Sequence, residues 1–440
     1  MLSTIRMHKL NYDAKNHNMN YALYAVCGSM IFLAPLQSFV SFDIHILIVF
    51  IGIVWLALTT LRDFKLKIDP PTFFLGVLFL KLLETLVILE NPLIACVGFA
   101  AYAIPIVFAM LYLSAYRDAS DRGRFIAIII YAGTVMGLFG IYQIFVDPTL
   151  FGIMESVYYT NNLTSRTIVS TYRATSFLPS PQVYSLFLLL TMTVLIERHA
   201  DIPIPRKIKT LCLIVLVLSG LLSGSKLFVW GLVFVAAFVL FKKIMSKRHS
   251  FSHRAYVGFF LVLGLIVILC AVVLQGGLFD RFDFVSIVTR GFTIYDTSQQ
   301  DRFSAYSFLF NSSLTELLFG HGLSTSSYAA AGLLGFDERV TLESYLLSIW
   351  YEMGFAGIIS FMALVLGSIA LSTKIRFGMP LFGFIFLFAA FSAPSLFSFA
   401  IFPFWLLLLF PFYPPEKKCF PQGDAHSRSL LRIKGSAINA

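Results

Sequence analysis

Apolar runs of about 20 residues, the length that carries a helix across a hydrocarbon core, recur along the chain between short polar breaks. They are read at residues 20–38, 43–60, 71–89, 93–113, 125–146, 181–196, 210–224, 225–241, 255–274, 353–372, 379–394 and 395–412, twelve in all. The seventh and eighth form one apolar stretch broken only at Ser223-Gly224-Ser225-Lys226, which predicts a tight hairpin, and the last two meet at Ala393-Pro394-Ser395. Two connections are long, about 34 residues at 147–180 and about 67 from 275 to about 341. Long connections in a packed protein are functional or disordered, and the Tyr, Phe and Leu spread through these two favour order. In the larger one, Phe303, Tyr306 and Phe310 stand at helical spacing. Ser312 or Ser313 caps a second short helix through Leu318, ended by Gly320. Leu342–Glu352 then predicts a helix with Leu342, Tyr345, Leu346 and Trp350 on one side, lying at the outer interface before the chain crosses.

The pattern predicts an all-α integral membrane protein of about twelve spans with a helical periplasmic loop subdomain. Its parts are N-terminal spans over 1–146, a periplasmic loop at 147–180, spans over 181–274, a large periplasmic loop with its interfacial helix at 275–352, C-terminal spans over 353–412 and a basic tail at 413–440. The first apolar run is span-length and lacks a small-residue cleavage site, so it reads as a span and not as a cleaved signal.

Composition agrees with the pattern. The chain is 58% hydrophobic and only 13% charged, half the charge of an ordinary soluble domain at about 25%, which excludes a soluble enzyme. With the N-terminus in the cytoplasm, 25 of the 33 Lys and Arg fall inside, 7 outside and Lys81 within a span. Such an asymmetry fixes orientation and puts both termini in the cytoplasm. The net +10 then separates into +16 on the inner face, where anionic membrane lipids are the partners, and −6 on the outer face. The basic excess is therefore a topology signal, with no nucleic acid implied. The five cysteines, at 27, 96, 212, 270 and 419, have no CxxC spacing, so neither a disulfide framework nor a metal site is expected. No Walker A or GxGxxG sequence is present, and no nucleotide cofactor is expected. Energy comes from an ion gradient or from the substrate itself.

A few ionisable residues are candidates for chemistry, each with a plainer reading beside the functional one. Arg173, just before Pro179-Ser180-Pro181, is either a snorkelling interfacial arginine or a guanidinium that grips a phosphate by two parallel hydrogen bonds. Lys226 at the hairpin is a turn lysine or an anion ligand beside the amides that open the next span. Arg302, on the loop helix, pairs with Glu316 or Asp337, or binds phosphate. His321 stands between Gly320 and Gly322, where a backbone approaches closely, and is structural or reactive. Glu343, with Thr341 as an N-cap, complements a helix dipole or acts as a general base whose partial burial lifts its pKa toward working pH. Lys81 and Glu84, one turn apart inside the third span, neutralise each other or mark a proton-coupled path.

Several of these occur in an order that resembles the O-antigen polymerase and O-antigen ligase superfamily, the Wzy and WaaL proteins. They are Arg173-x3-Phe177 with Pro179 before a span, the Ser-Gly-Ser-Lys hairpin at 223–226, Arg302 on a loop helix, and Gly320-His321-Gly322-Leu323. Glu343-Ser344-Tyr345-Leu346-Leu347-x6-Gly354-x2-Gly357 completes the series. The resemblance covers residues 165–372 and implies a GT-C-like membrane glycosyltransferase at the periplasmic face of the bacterial inner membrane. Its donor would be an oligosaccharide on undecaprenyl diphosphate, and no cofactor is implied. Arg173, Lys226 and Arg302 would bind the diphosphate, and Glu343 or His321 would take the acceptor's proton. A flippase and a chain-length regulator would be its partners. The chain departs from relatives in carrying Lys226 where arginine is common, and Glu343-Ser344 where the ligases place His-Asn. The second departure favours a repeat-unit polymerase making O-antigen, capsule or exopolysaccharide. The alternatives are an O-antigen ligase transferring glycan to lipid A-core, and a flippase or secondary transporter, for which Lys81-Glu84 would be the clue.

Overall fold

The computed structural model of the chain describes residues 119–147, 149–150, 173–178, 180–198, 202–245, 311–322, 342, 344–374 and 380–392, with the single helical positions Val54 and Leu83. Among the described residues every regular element is a helix and none is a strand. The helices are α1 (Ala119–Phe145), α2 (Pro181–Glu197), α3 (Arg206–Leu222), α4 (Lys226–Met245), α5 (Leu314–Phe319), α6 (Tyr345–Lys374) and α7 (Pro380–Ser392). Six of the expected apolar runs coincide with α1, α2, α3, α4, α6 and α7. Those at 20–38, 43–60, 71–89, 93–113, 255–274 and 395–412 lie, apart from Val54 and Leu83, outside the described residues. Two segments, Phe125–Phe145 of 21 residues and Tyr345–Ala370 of 26, are long and apolar enough to cross a membrane.

The bundle is organised around α2. Its sequence is apolar on every side, so it has no face to offer water and belongs at the centre; Val183–Leu195 are all buried, and α1, α3, α4 and α7 pack around it. Burial leaves its threonine hydroxyls supplied from within the helix. Thr191 donates to the Phe187 carbonyl and Thr193 to the Leu189 carbonyl, each at 2.8 Å. The helix starts where the sequence predicts: the Ser180 hydroxyl accepts from the Val183 N–H at 3.2 Å, and Pro181 takes the first turn, where no donor is needed. α1 comes close to α2 and α3 along Gly133, Gly137 and Gly140, the small-residue face that lets apolar helices approach. At Gly140 the Tyr184 ring occupies the space a Cβ would need, and the Tyr184 hydroxyl donates to the Met136 carbonyl at 3.3 Å.

At its other end α2 holds α7. The Glu197 carboxylate accepts from the Leu381 and Phe382 N–H groups at 2.8 Å each. These are orphan amides of the α7 first turn, behind Pro380, so a carboxylate from a distant helix supplies the cap.

α6 divides where expected and starts later than expected. An interfacial helix over 342–352, followed at Met353-Gly354 by a separate span, is expected; the structure is helical from Tyr345 to Lys374 with a kink at Gly354 (φ 68°, ψ −167°), where two helices meet. The start shifts because the first intrahelical bond in this stretch runs from the Ser348 N–H to the Ser344 carbonyl at 3.0 Å. α5 begins and ends as read from the sequence. Ser313 and Glu316 form a reciprocal capping box, and Gly320 (φ 84°) closes the helix.

Candidate functional site

Of the five candidate residues, Arg173, Lys226 and His321 lie in the described structure, whereas Arg302 and Glu343 fall outside the described residues, as do Lys81 and Glu84.

Arg173 and the Lys226 hairpin, 50 residues apart in sequence, come together. α3 ends at Leu222, Gly224 (φ 55°) turns the chain, and Lys226 opens α4. Three successive carbonyls at that turn are taken by the segment before α2. The Ala174 N–H donates to the Leu222 carbonyl at 3.1 Å, Arg173 Nε to Ser223 at 2.9 Å and Arg173 Nη2 to Gly224 at 3.1 Å. The guanidinium thus complements the carbonyl-rich end of α3, where a cation is favourable. Two of its five N–H groups are committed there, and the Nε–Nη2 edge is turned onto the protein. Lys226 Nζ is buried at the same turn.

The backbone following Arg173 is held by a residue that sequence reasoning passes over. Gln143, 2% exposed near the end of α1, accepts on Oε1 from the N–H groups of Thr175 at 2.8 Å and Ser176 at 2.9 Å. Its Nε2 donates to the Thr175 hydroxyl at 3.2 Å. The rings of Phe139 and Phe177 pack beside it with centroids 4.6 Å apart. The signal available in the sequence was a neutral polar side chain in the last turn of an apolar helix, which has no chemistry of its own to attract notice.

His321 belongs to a second cluster, built where α5 crosses the break in α6. The backbones of 317–322 and 350–354 lie against each other. The His321 N–H donates to the Tyr351 carbonyl at 2.8 Å, the Gly322 N–H to Glu352 at 3.1 Å, and Trp350 Nε1 to Leu317 at 3.2 Å. Gly320 and Gly354 are the points of closest approach: a Cβ on Gly320 would run into the Glu352 carbonyl, and one on Gly354 into that of Leu318. The imidazole stacks on Tyr351 at 4.1 Å, and its Nδ1 lies 3.2 Å from the Tyr351 carbonyl. A carbonyl only accepts, so Nδ1 carries the hydrogen and Nε2 is the atom on which the neutral ring takes up a proton. Nε2 faces the Glu316 carboxylate at 3.8 Å. The Ser313 backbone N–H and hydroxyl, which both donate to Glu316, hold its carboxyl below the usual range, and the nearby imidazole acts in the same direction.

Leu342 and Ser344, directly before α6, are both buried. Among the described residues no three His, Cys, Asp or Glu side chains gather at metal-ligating distances. Three of the five predicted residues thus fall into two described groups, Arg173 with the Lys226 hairpin and His321 with the break in α6. No protein-family model matches the chain, and no protein of curated function matches it in sequence.

Proposed function

We propose that the chain is a multi-pass membrane glycosyltransferase that polymerises undecaprenyl-diphosphate-linked oligosaccharide repeat units into a surface polysaccharide at the periplasmic face of a bacterial inner membrane. The observation that carries this reading is the meeting of Arg173 with the Ser223–Lys226 hairpin. Two separate parts of the superfamily pattern, remote in sequence, share one turn through hydrogen bonds of 2.9 and 3.1 Å. The membrane setting is supported by exposed apolar stripes at helical spacing, such as Ile128, Tyr131, Val135 and Leu138 on α1 and Leu211, Ile214 and Leu218 on α3.

In this reading the acceptor is the non-reducing-end hydroxyl of a second lipid-linked unit. Its oxygen forms a bond to the donor's anomeric carbon while the bond from that carbon to the diphosphate oxygen breaks. The electron pair leaves with undecaprenyl diphosphate, and the proton passes to Glu343 or to His321 Nε2. The negative charge grows on the leaving group, so fixed cations there lower the barrier more than they tighten substrate binding. Lys226, Arg302 and Arg173 have that role. The sugar-phosphate bond supplies the driving force.

The test is incubation of the purified protein in lipid nanodiscs with lipid-linked repeat units. A ladder of lengthened lipid-linked glycan together with released undecaprenyl diphosphate is expected. Transfer to added lipid A-core without a ladder identifies a ligase instead. No release of undecaprenyl diphosphate under either condition overturns the reading.

A further inference from the structure

We propose that Gln143 is a positioning residue for the cationic hairpin, setting where Arg173 and Lys226 stand relative to the diphosphate; this rests on the function proposed above. Ser176 has φ 49°, in the left-handed region that a residue with a side chain rarely enters without being held there. What holds it is one oxygen of Gln143, which accepts from both the Thr175 and Ser176 N–H groups. The same short segment then reaches the hairpin, through Ala174 to the Leu222 carbonyl and through Arg173 to those of Ser223 and Gly224. Lys226 follows two residues later as the first residue of α4. The bonds therefore form a continuous series from the end of α1, across residues 173–176, to the turn that carries the lysine. With Gln143 buried and the peptide groups of 175–176 away from water, loss of its oxygen leaves two amides to find new partners, and the segment moves to find them. Arg173 moves with it, and displacement of a charged ligand by about 1 Å is enough to cost up to about a hundredfold in a preorganised site.

The probe is a short-chain isoprenyl diphosphate titrated calorimetrically into the full-length protein in nanodiscs. Gln143→Met, which keeps the length of the side chain and removes the oxygen, is expected to weaken binding about tenfold. Gln143→Glu, which keeps an oxygen for both amides, is expected to hold affinity within about threefold. Glu197→Ala removes the cap of α7 at the other end of α2, remote from the segment; it is expected to lower thermal stability and leave affinity unchanged, which separates positioning from general weakening. Should Gln143→Met not be recovered folded, Gln143→Asn, shorter by one methylene, supplies the same comparison. Binding by wild type that is lost in Lys226→Met but unaltered in Gln143→Met and Gln143→Asn overturns the inference and leaves the proposed function standing. Wild type that does not bind the diphosphate overturns both.

Discussion

Arg173 and Lys226 carry the same charge at the same turn, but the geometry asks different things of them. The guanidinium reaches two carbonyls one residue apart, at 2.9 and 3.1 Å, which its rigid fork matches and an ammonium on a flexible stem does not. Arg173→Lys is therefore expected to behave as a loss in spite of the kept charge. Denaturant titration in detergent should show about 1.5–3 kcal/mol lower stability, the range for a lost charge-assisted hydrogen bond, and the glycan ladder should shorten. Unchanged stability would mean that the fork contributes nothing to the turn. At Glu316 the charge state itself is the variable. Its carboxyl is held below its ordinary value of 4.5 by the Ser313 N–H and hydroxyl, so the charged form is the one the fold favours. The contribution is complete above the ordinary carboxylate value and is lost as pH falls through the lower folded value. Amide exchange across 314–319 should accelerate there in wild type. Glu316→Gln should exchange faster at neutral pH and show no such step, and a step that persists would assign the titration to another group.

The helices show which structural signals are local and which are not. The starts of α2 and α5 and the end of α5 were legible because each depends on residues within three positions, Ser180 with Pro181, Ser313 with Glu316, and Gly320. The division at Met353-Gly354 was legible too, but its partner was not: what demands a glycine there is the Leu318 carbonyl of another helix, and nothing in Met353-Gly354-Phe355 announces that contact. The same holds for Glu197, whose partners are 184 and 185 residues away, and for Gln143, whose partners are 32 and 33 away. Two outcomes follow at this level. Gly354→Ala combines an unfavourable φ, worth about 1–2 kcal/mol, with a collision against Leu318. It should part α5 from α6, free the Trp350 indole from the Leu317 carbonyl, and expose 311–322 to protease; protection equal to wild type would show that the two backbones do not depend on this contact. Glu197→Ala should remove the cap of α7 and lower stability by about 1–2 kcal/mol, with the loss read as faster exchange at Leu381 and Phe382.

At the scale of the whole molecule, the charge distribution and the contacts between helix ends make the same demand. If the six long helices alternate in direction as the apolar runs imply, the end of α1, the start of α2, the α3–α4 turn, the start of α6 and the end of α7 share one face. The described bonds join members of that set: Gln143 to 175–176, Arg173 to the hairpin, and the Ser344 hydroxyl to the Ala390 carbonyl at 3.4 Å. The bond from Glu197 to the start of α7 joins two members of the opposite set. The basic residues of the first set's loops are few, whereas Arg198 at the end of α2 and Arg206, Lys207 and Lys209 in the first turn of α3 crowd on the other. Lys and Arg are retained on the cytoplasmic side, so the face bearing Arg173, Lys226 and His321 is the outer one in the proposed arrangement. After replacement of the five native cysteines, single cysteines at the exposed positions Asn311 and Lys207 test this in intact spheroplasts. A membrane-impermeant maleimide should label Asn311→Cys directly and Lys207→Cys only after permeabilisation. The reverse order would put the cationic hairpin in the cytoplasm, out of reach of a glycan already carried across the membrane. Equal labelling of both before permeabilisation would contradict alternation of the helices, and the proposed polymerase geometry would fail with it.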